Sequence, residues 1–351
     1  EAPDSWTHSL LKCLPKFSGA EKTKDMRPLA LQNVLMKWVT TTIMVQLADV
    51  FPQIIPREQK GFVPGRHMID HLMFARSEWE AHPDQIMVAI DFQKAYDSVT
   101  FPMLKVSLLY VGLPVAYVSV LMSVMSGPVM FCVGKGFVPG EVLRPQSGIR
   151  QGDPLSPLLF DVVTIFLIYD FKRLHVTVRI LMYADDILLC IPGRLESQVS
   201  DLRALIYCLQ VFGYFSGLRV NFEKTYAVVK ISDPDVPQPK AVGGITVKPY
   251  VKYLGALVGN LTVAACYAPV LAKMLSRART VASLSLGMAE RAYLFASWVA
   301  PVVYLTARAY APTEHVISQL NMIHRVALDL TTWHLTMPIL ALPVTEGGFG
   351  Q

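Results

Sequence analysis

Two carboxylates, Asp185 and Asp186, stand side by side in the stretch RILMYADDILLCI, which is otherwise nearly all apolar. A third, Asp91, closes the short apolar run IMVAI at 86–90. An ionised carboxylate in apolar surroundings costs several kcal/mol unless it is paired, hydrogen-bonded or bound to a cation. Three carboxylates brought together repel, and each protonates or moves apart unless a divalent cation sits between them. Oxygen donors with no His or Cys nearby select a hard ion, so Mg²⁺ is expected, with Mn²⁺ as a substitute. Two such ions, about 4 Å apart, would activate an attacking hydroxyl and stabilise a leaving phosphate oxygen in an in-line displacement.

The surrounding pattern says which elements must bring these acids together. VRILMY and ILLCI read as two strands of a hairpin joined through Ala184, Asp185 and Asp186, and residues 86–90 read as a buried strand ending at Asp91. An antiparallel sheet pairing these strands places three acids far apart in sequence at one edge. Helices are expected over 29–50, opened by Pro28, over 67–80, over MLKVSLLYVG, and over 199–216. Another is expected over DPLSPLLFDVVTIFLIYDFKRL, with Asp153 and Pro154 in its first turn. LRVNFEKTYAVV returns to strand, KYLGALVG reads as a strand pair, and from about 262 the pattern is mostly helical. Periodicity alone therefore gives an α+β chain.

Composition bounds the possibilities. With 351 residues, 52% hydrophobic and 17% charged, the chain can bury a large core in two or three lobes. It opens on Glu1 without a secretion signal and is expected to be a piece of a longer polypeptide. The five cysteines are scattered and never spaced as CxxC, which argues against a disulfide framework and a structural zinc site and for a reducing, intracellular setting. Between Lys105 and Lys135 there is no charge, yet Gly112, Pro114, Gly127 and Pro128 cut the run, so Val115–Ser126 is expected as a buried helix and no membrane span. The net charge of +5 favours a polyanionic partner. Basic residues gather at Lys12, Lys16, Lys22, Lys24 and Arg27, and again at Lys273, Arg277 and Arg279.

In series along the chain, LPKFSGAEKTKDMRPLALQN, EQKGFVPGR, AIDFQKAYDSV, SGIRQGDPLSPLLF, YADD, GLRVNFEKT and VKYLGALVG resemble the sequence blocks of reverse transcriptases of non-LTR (LINE-type) retrotransposons. The resemblance covers nearly the whole chain in the right order; QGDPLSPLLF and the extra GFVPGR block separate it from the shorter retroviral enzymes. It implies an α+β right-hand polymerase fold. Fingers would occupy 1–86, a palm of antiparallel sheet on helices 87–260 with an interleaved fingers segment at about 106–155, and a helical thumb with the start of a connection 261–351.

The resemblance also implies roles. Asp91 and Asp185 would be shared ligands of both ions, Asp186 a supporting acid, and Phe92 would lend its backbone carbonyl. Asp186 as a turn-stabilising carboxylate is the plainer alternative. Tyr96 resembles the aromatic gate that excludes a 2′-hydroxyl, a position that a core tyrosine also fits. Arg27, with Lys16 or Lys22 from the same loop, would hold the triphosphate. Gln151 and Gly152 resemble the pair beside the incoming base, and Lys224 the residue that protonates pyrophosphate. Primer and template contacts fall on Tyr183, Ala184, Arg66, the turn Tyr253, Leu254 and Gly255, and the helix-face pair Lys273 and Arg277. His67, His71 and His82 lack a ligand pattern and read as surface or packing residues.

The partners implied are an RNA template, a DNA primer and dNTPs, with the nucleus as the family's compartment and an endonuclease elsewhere in the full-length polypeptide. Two other classes fit parts of the pattern: a viral RNA-dependent RNA polymerase, against which Ala184 and Tyr96 speak, and a catalytically silent or domesticated nucleic-acid-binding relic, against which the intact acids speak.

Overall fold

The computed structural model describes residues 8–17, 19–20, 22, 25–133, 136–174, 177–233 and 235–330, with 130–133 and 136–141 as backbone. Lys24 and the 331–351 part of the expected thumb lie outside these. The first half of the chain runs β1 (Ser9–Pro15), β2 (Met26–Gln32), α1 (Val34–Leu47), α2 (Phe51–Ile54), α3 (Met68–Ala81), β3 (Gln85–Ile90), α4 (Ala95–Ser98), α5 (Phe101–Tyr110), α6 (Val115–Ser126), β4 (Val129–Val133), β5 (Gly136–Leu143) and α7 (Ser156–Leu174). Next come β6 (Arg179–Tyr183), β7 (Asp186–Pro192), α8 (Leu195–Ser216), β8 (Tyr226–Lys230), β9 (Ala241–Val242), β10 (Ile245–Val247), β11 (Tyr250–Tyr253) and β12 (Ala256–Gly259). The chain then turns helical: α9 (Val263–Ala282), α10 (Met288–Leu294), a π-helical turn Phe295–Val299, α11 (Pro301–Ala309) and α12 (Glu314–Leu328).

Two compact units result. Among the described residues, one holds those up to Met68 together with His82–Lys248, the other Ile69–Ala81 with those from Pro249 to Leu330. Residues 69–81, nearly all of α3, thus group with the second unit.

The first unit centres on a six-stranded sheet in the order β6-β7-β3-β8-β10-β9. β3 is antiparallel to both β7 and β8. It is central because its side chains Gln85–Ile90 are nearly all buried, as an apolar strand paired on both edges requires. Alternation sends Ile86, Val88, Ile90 and Phe92 to one face, where they join Ile187, Leu189 and Ile191 of β7 and Leu159, Val163, Leu205 and Leu209 of α7 and α8 in one core. Each such aliphatic side chain contributes roughly 1.5–3 kcal/mol on burial. α7 is apolar almost all round and accordingly buried along most of its length. A second sheet, β2-β1-β4-β5, carries the N-terminal strands. The second unit pairs β11 with β12 and packs α9, α11 and α12 around Tyr267, Met274, Val299 and Ile323.

Three expectations are corrected. The helix expected over 29–50 is a strand to Gln32 and a helix only from Val34, capped by Asn33, whose side chain accepts from the Leu35 amide at 3.0 Å. Asp153 and Pro154 precede α7 rather than open it; the Asp153 carboxylate accepts from Leu155 N at 2.8 Å. LRVNFEKT forms a turn, and strand begins at Tyr226. The helix Val115–Ser126 is found with the expected bounds but is not buried throughout: Val118, Leu121, Val124 and Met125 are buried, while Val115, Tyr117 and Val120 on its other face are exposed. No helix among the described residues is long and apolar enough to cross a membrane.

Candidate active site

Sheet register brings the acids to one edge. The β3–β7 ladder ends with Ile90 facing Ile187, and continuing that register by one step would bring Asp91, just past the strand, toward Asp186. Both point away from the helix-backed face, because Ile90 and Ile187 point into it. β6 and β7 close with Tyr183 opposite Asp186, so Ala184 and Asp185 form a two-residue hairpin tip. Asp91 is fixed by the turn after α8. Asn221 donates its backbone N–H to the Asp91 carbonyl at 2.7 Å and its side-chain amide to Asp91 Oδ2 at 3.1 Å. The Asp91 N–H donates to Thr225 Oγ1 at 3.2 Å.

Charge accumulates here. Burial pushes the Asp185 carboxyl above its ordinary value and the Asp91 charge adds to that, while a backbone hydrogen bond and Arg27 pull the other way. Burial first, then Asp185, then Asp91, push Asp186 up to about 6, although its side chain reaches solvent. A site that raises its own carboxyls favours a cation, and an all-carboxylate donor set suits a hard one. The residues therefore fit a divalent metal chemically. As they stand, among the described residues no three His, Cys, Asp or Glu side chains are grouped closely enough to hold an ion. Asp91 Oδ2 is engaged by Asn221.

On the nucleotide side, Arg27 lies exposed on β2 within electrostatic range of Asp185. Lys16 and Lys22 are exposed on the β1–β2 connection, and Lys16 also acts on the charge of Asp97. Tyr96 stacks on Phe160 with ring centroids 4.8 Å apart, and its hydroxyl is held protonated by burial, then by Asp161, Asp185 and Tyr183. Tyr96 is therefore both partly core and close enough to feel Asp185. Gln151 donates to Asp97 Oδ1 at 3.1 Å, and its carbonyl accepts from Ala30 N at 2.8 Å. Gly152 has φ 110° and lies against the Ala30 carbonyl, where a Cβ would sit 2.7 Å away. Only glycine allows that approach. Phe92 is buried and bridges to Val220; Lys224 is exposed in the turn that holds Asp91.

Of the residues expected on primer and template, Tyr183 packs its ring 5.7 Å from Phe62 and Ala184 is buried with φ 50°. Arg66 differs from expectation: its terminal nitrogens donate to the carbonyls of Pro52, Ile55, Pro56 and Gln59 at 2.6–2.7 Å, an internal task that occupies its guanidinium. In the second unit Tyr253 is buried, its hydroxyl 3.2 Å from Nδ1 of the equally buried His71, so the ring fills core; of the turn residues, Gly255 is exposed and Leu254 half-buried. Lys273 is exposed on α9, whereas Arg277 donates to the Trp298 carbonyl at 2.5 Å and lies over its ring.

Sequence reasoning passed over Asn221, Thr225 and Gln59. The first two sit in the quoted block GLRVNFEKT and the third in EQKGFVPGR. A polar side chain repeated beside an apolar block was the available signal, but its partners lie more than a hundred positions away.

Residues 14–258 match the family described as "Reverse transcriptase (RNA-dependent DNA polymerase)". Among curated proteins the chain is similar to the "Transposon TX1 uncharacterized 149 kDa protein" of Xenopus laevis, 24% identical over 100% of this chain and 28% of that protein. It is also 26% identical to the "Retrovirus-related Pol polyprotein from type-2 retrotransposable element R2DM" of Drosophila melanogaster, over 61% of this chain and 20% of that one. The chain thus spans less than a third of either relative. Among solved structures, apo telomerase from Candida tropicalis aligns with TM-score 0.53 at 14% identity over 73% of this chain and 54% of that one. The RNA-dependent RNA polymerase of a human picobirnavirus aligns with TM-score 0.53 at 15% identity over 93% and 59%. These neighbours show a shared right-hand polymerase fold.

Proposed function

This chain belongs to the reverse transcriptase family of RNA-dependent DNA polymerases, and from that premise we propose that it extends a DNA primer on an RNA template as the polymerase segment of a non-LTR retrotransposon polyprotein. The observation that supports the reading is that the β3–β7 ladder ends at Ile90 opposite Ile187, with Asp91 and Asp186 the next residues and both within electrostatic range of Asp185 at the tip.

In this reading Asp91, Asp185 and Asp186 hold the divalent ions, Mg²⁺ or Mn²⁺, with the Phe92 carbonyl as an added ligand. Ions bound there supply Lewis-acid activation of the primer hydroxyl and neutralise charge at the phosphates. Arg27, with Lys16 or Lys22, grips the triphosphate, a fork and a point charge suited to phosphate oxygens. Gln151 and Gly152 set the floor under the nascent base pair, and Tyr183 lines the path of the primer end, with the buried Ala184 supporting it from behind. Tyr96 offers its ring to the sugar and leaves no room for a 2′-hydroxyl. Lys224 delivers a proton toward departing pyrophosphate. Leu254, Gly255 and Lys273 track the duplex from the second unit, which serves as primer grip and thumb, while β1 and β2 serve as fingers. The scattered cysteines, never spaced as CxxC, suit a reducing compartment, here the nucleus, and an endonuclease elsewhere in the polypeptide would nick the target.

The test offers the chain a DNA primer on RNA and on DNA templates, with dNTPs or NTPs, in Mg²⁺. Extension with dNTPs on RNA is expected, and Tyr96→Ala should admit NTPs. Extension by the unaltered chain with NTPs alone would favour an RNA polymerase; no extension under any pairing would favour a nucleic-acid-binding relic.

A further inference from the structure

Ala184 takes φ 50° at the hairpin tip, a left-handed conformation that alanine enters only when its surroundings impose it. The imposing group is Gln59, whose side chain is fully buried. Its Oε1 accepts from the N–H groups of Ala184 at 2.8 Å and Gly61 at 2.9 Å. Its Nε2 donates to the Ala184 carbonyl at 3.2 Å and to Thr164 Oγ1 at 3.4 Å. Two backbone N–H groups can face only the oxygen end of the amide, so its orientation is fixed and all four of its hydrogen-bonding positions are filled.

The segment that carries Gln59 is itself pinned. Met182 N donates to the Glu58 carbonyl and Lys60 N to the Met182 carbonyl, each at 2.8 Å, so residues 58–60 run along the outer edge of β6. Lys172 of α7 pairs with Glu58 at 2.8 Å, and Arg66 ties the Gln59 carbonyl to those of Pro52, Ile55 and Pro56. Gly61 passes so close that a Cβ there would overlap the Ala184 amide nitrogen.

We propose that Gln59 is a positioning residue for catalysis: by gripping both polar groups of Ala184 it holds the strained tip that aims Asp185, the next residue, toward Asp91 and Asp186. The activity side of this inference rests on the polymerase reading; the backbone side does not. Leucine at 59 removes the grip, and glycine at 184 removes the need for it, because glycine takes a positive φ freely.

The experiment compares the unaltered chain, Gln59→Leu, Ala184→Gly and the double variant, by primer extension and by hydrogen exchange of the peptide covering 182–188. Gln59→Leu is expected to lose protection at the Ala184 amide and to lower kcat about tenfold with the KM for dNTP little changed. Ala184→Gly in that background is expected to recover most of the kcat, whereas a merely loosened fold would be loosened further by glycine. Gln59→Met, of similar length, is held to the same outcomes should the leucine variant fail to fold. Unchanged protection and kcat in the Gln59 variants, or a double variant no better than the single, would overturn the inference. An unaltered chain that does not extend overturns the polymerase reading instead, and the exchange data then decide the backbone claim.

Discussion

Two hairpins in this chain end in two-residue loops whose first residue is a non-glycine in the left-handed region. One closes β6 and β7 with Ala184 at φ 50°, the other closes β11 and β12 with Leu254 at φ 47°. In the second, Gly255 follows at φ 88°, so both loop residues take the positive φ that matches the twist of paired strands, and the turn is built by its own sequence. In the first, the following residue is Asp185, and the strain is held by a side chain 125 positions away. A turn that carries chemistry cannot also carry its own turn-forming residue. The support has to come from elsewhere in the fold.

The comparison can be broken or sharpened by substitution. The largest effect is expected for Asp185→Asn, which keeps shape and removes charge: extension should fall at least about a hundredfold, the low end for a positioned catalytic group, while duplex binding measured by fluorescence anisotropy stays. Loss of both together would point to misfolding of the tip. Asn221→Ala takes away the side-chain donor to Asp91 Oδ2; a hydrogen bond to a charged group is worth about 1.5–3 kcal/mol, so a roughly ten- to hundredfold slower rate is expected in single-turnover kinetics.

Asp161 gives a stability effect. It is fully buried on α7, neither carboxyl oxygen has a hydrogen-bond partner among the described residues, and burial, then Asp185, hold its pKa well above the ordinary range against the pull of Arg66. A folded pKa above the unfolded one stabilises fully below the unfolded value of about 3.9, and that stability is lost as pH rises through the folded value. Asp161→Asn should therefore gain in Tm over the unaltered chain as pH goes from 5 to 8; parallel melting curves would contradict this. The smallest effect belongs to the self-built turn: Gly255→Ala, strained at φ 88° with its new Cβ 3.1 Å from Leu305, should cost about 1 kcal/mol, or about 4 °C in the melt of the second unit.

What could be read in the sequence follows the same division. The nearness of Asp91, Asp185 and Asp186 was legible because carboxylates in apolar runs demand an explanation, and the strands around them because 86–90, VRILMY and ILLCI have no other buried reading. Val115–Ser126 was legible because Pro114 and Gly127 fix its ends. The β2 strand was not: RPLALQ pairs with β1 and lies beside Gln151, contacts that local periodicity does not contain. Asn33 before the apolar run was the missed boundary signal. Gln59, Asn221 and Thr225 stayed invisible because each acts on a backbone group or carboxylate brought near only by folding. Arg66 was misread for the same reason, since an arginine that binds four carbonyls looks in sequence like one that binds phosphate.

The claim underneath all of this is that residues 91, 185 and 186 act together on a cation. Titration of Mn²⁺ followed by electron paramagnetic resonance, with Mg²⁺ as competitor, tests it without any turnover. The unaltered chain should bind Mn²⁺ displaceably, and Asp91→Asn, Asp185→Asn and Asp186→Asn should each weaken it. Undiminished binding in a variant lacking all three carboxylates would contradict the account.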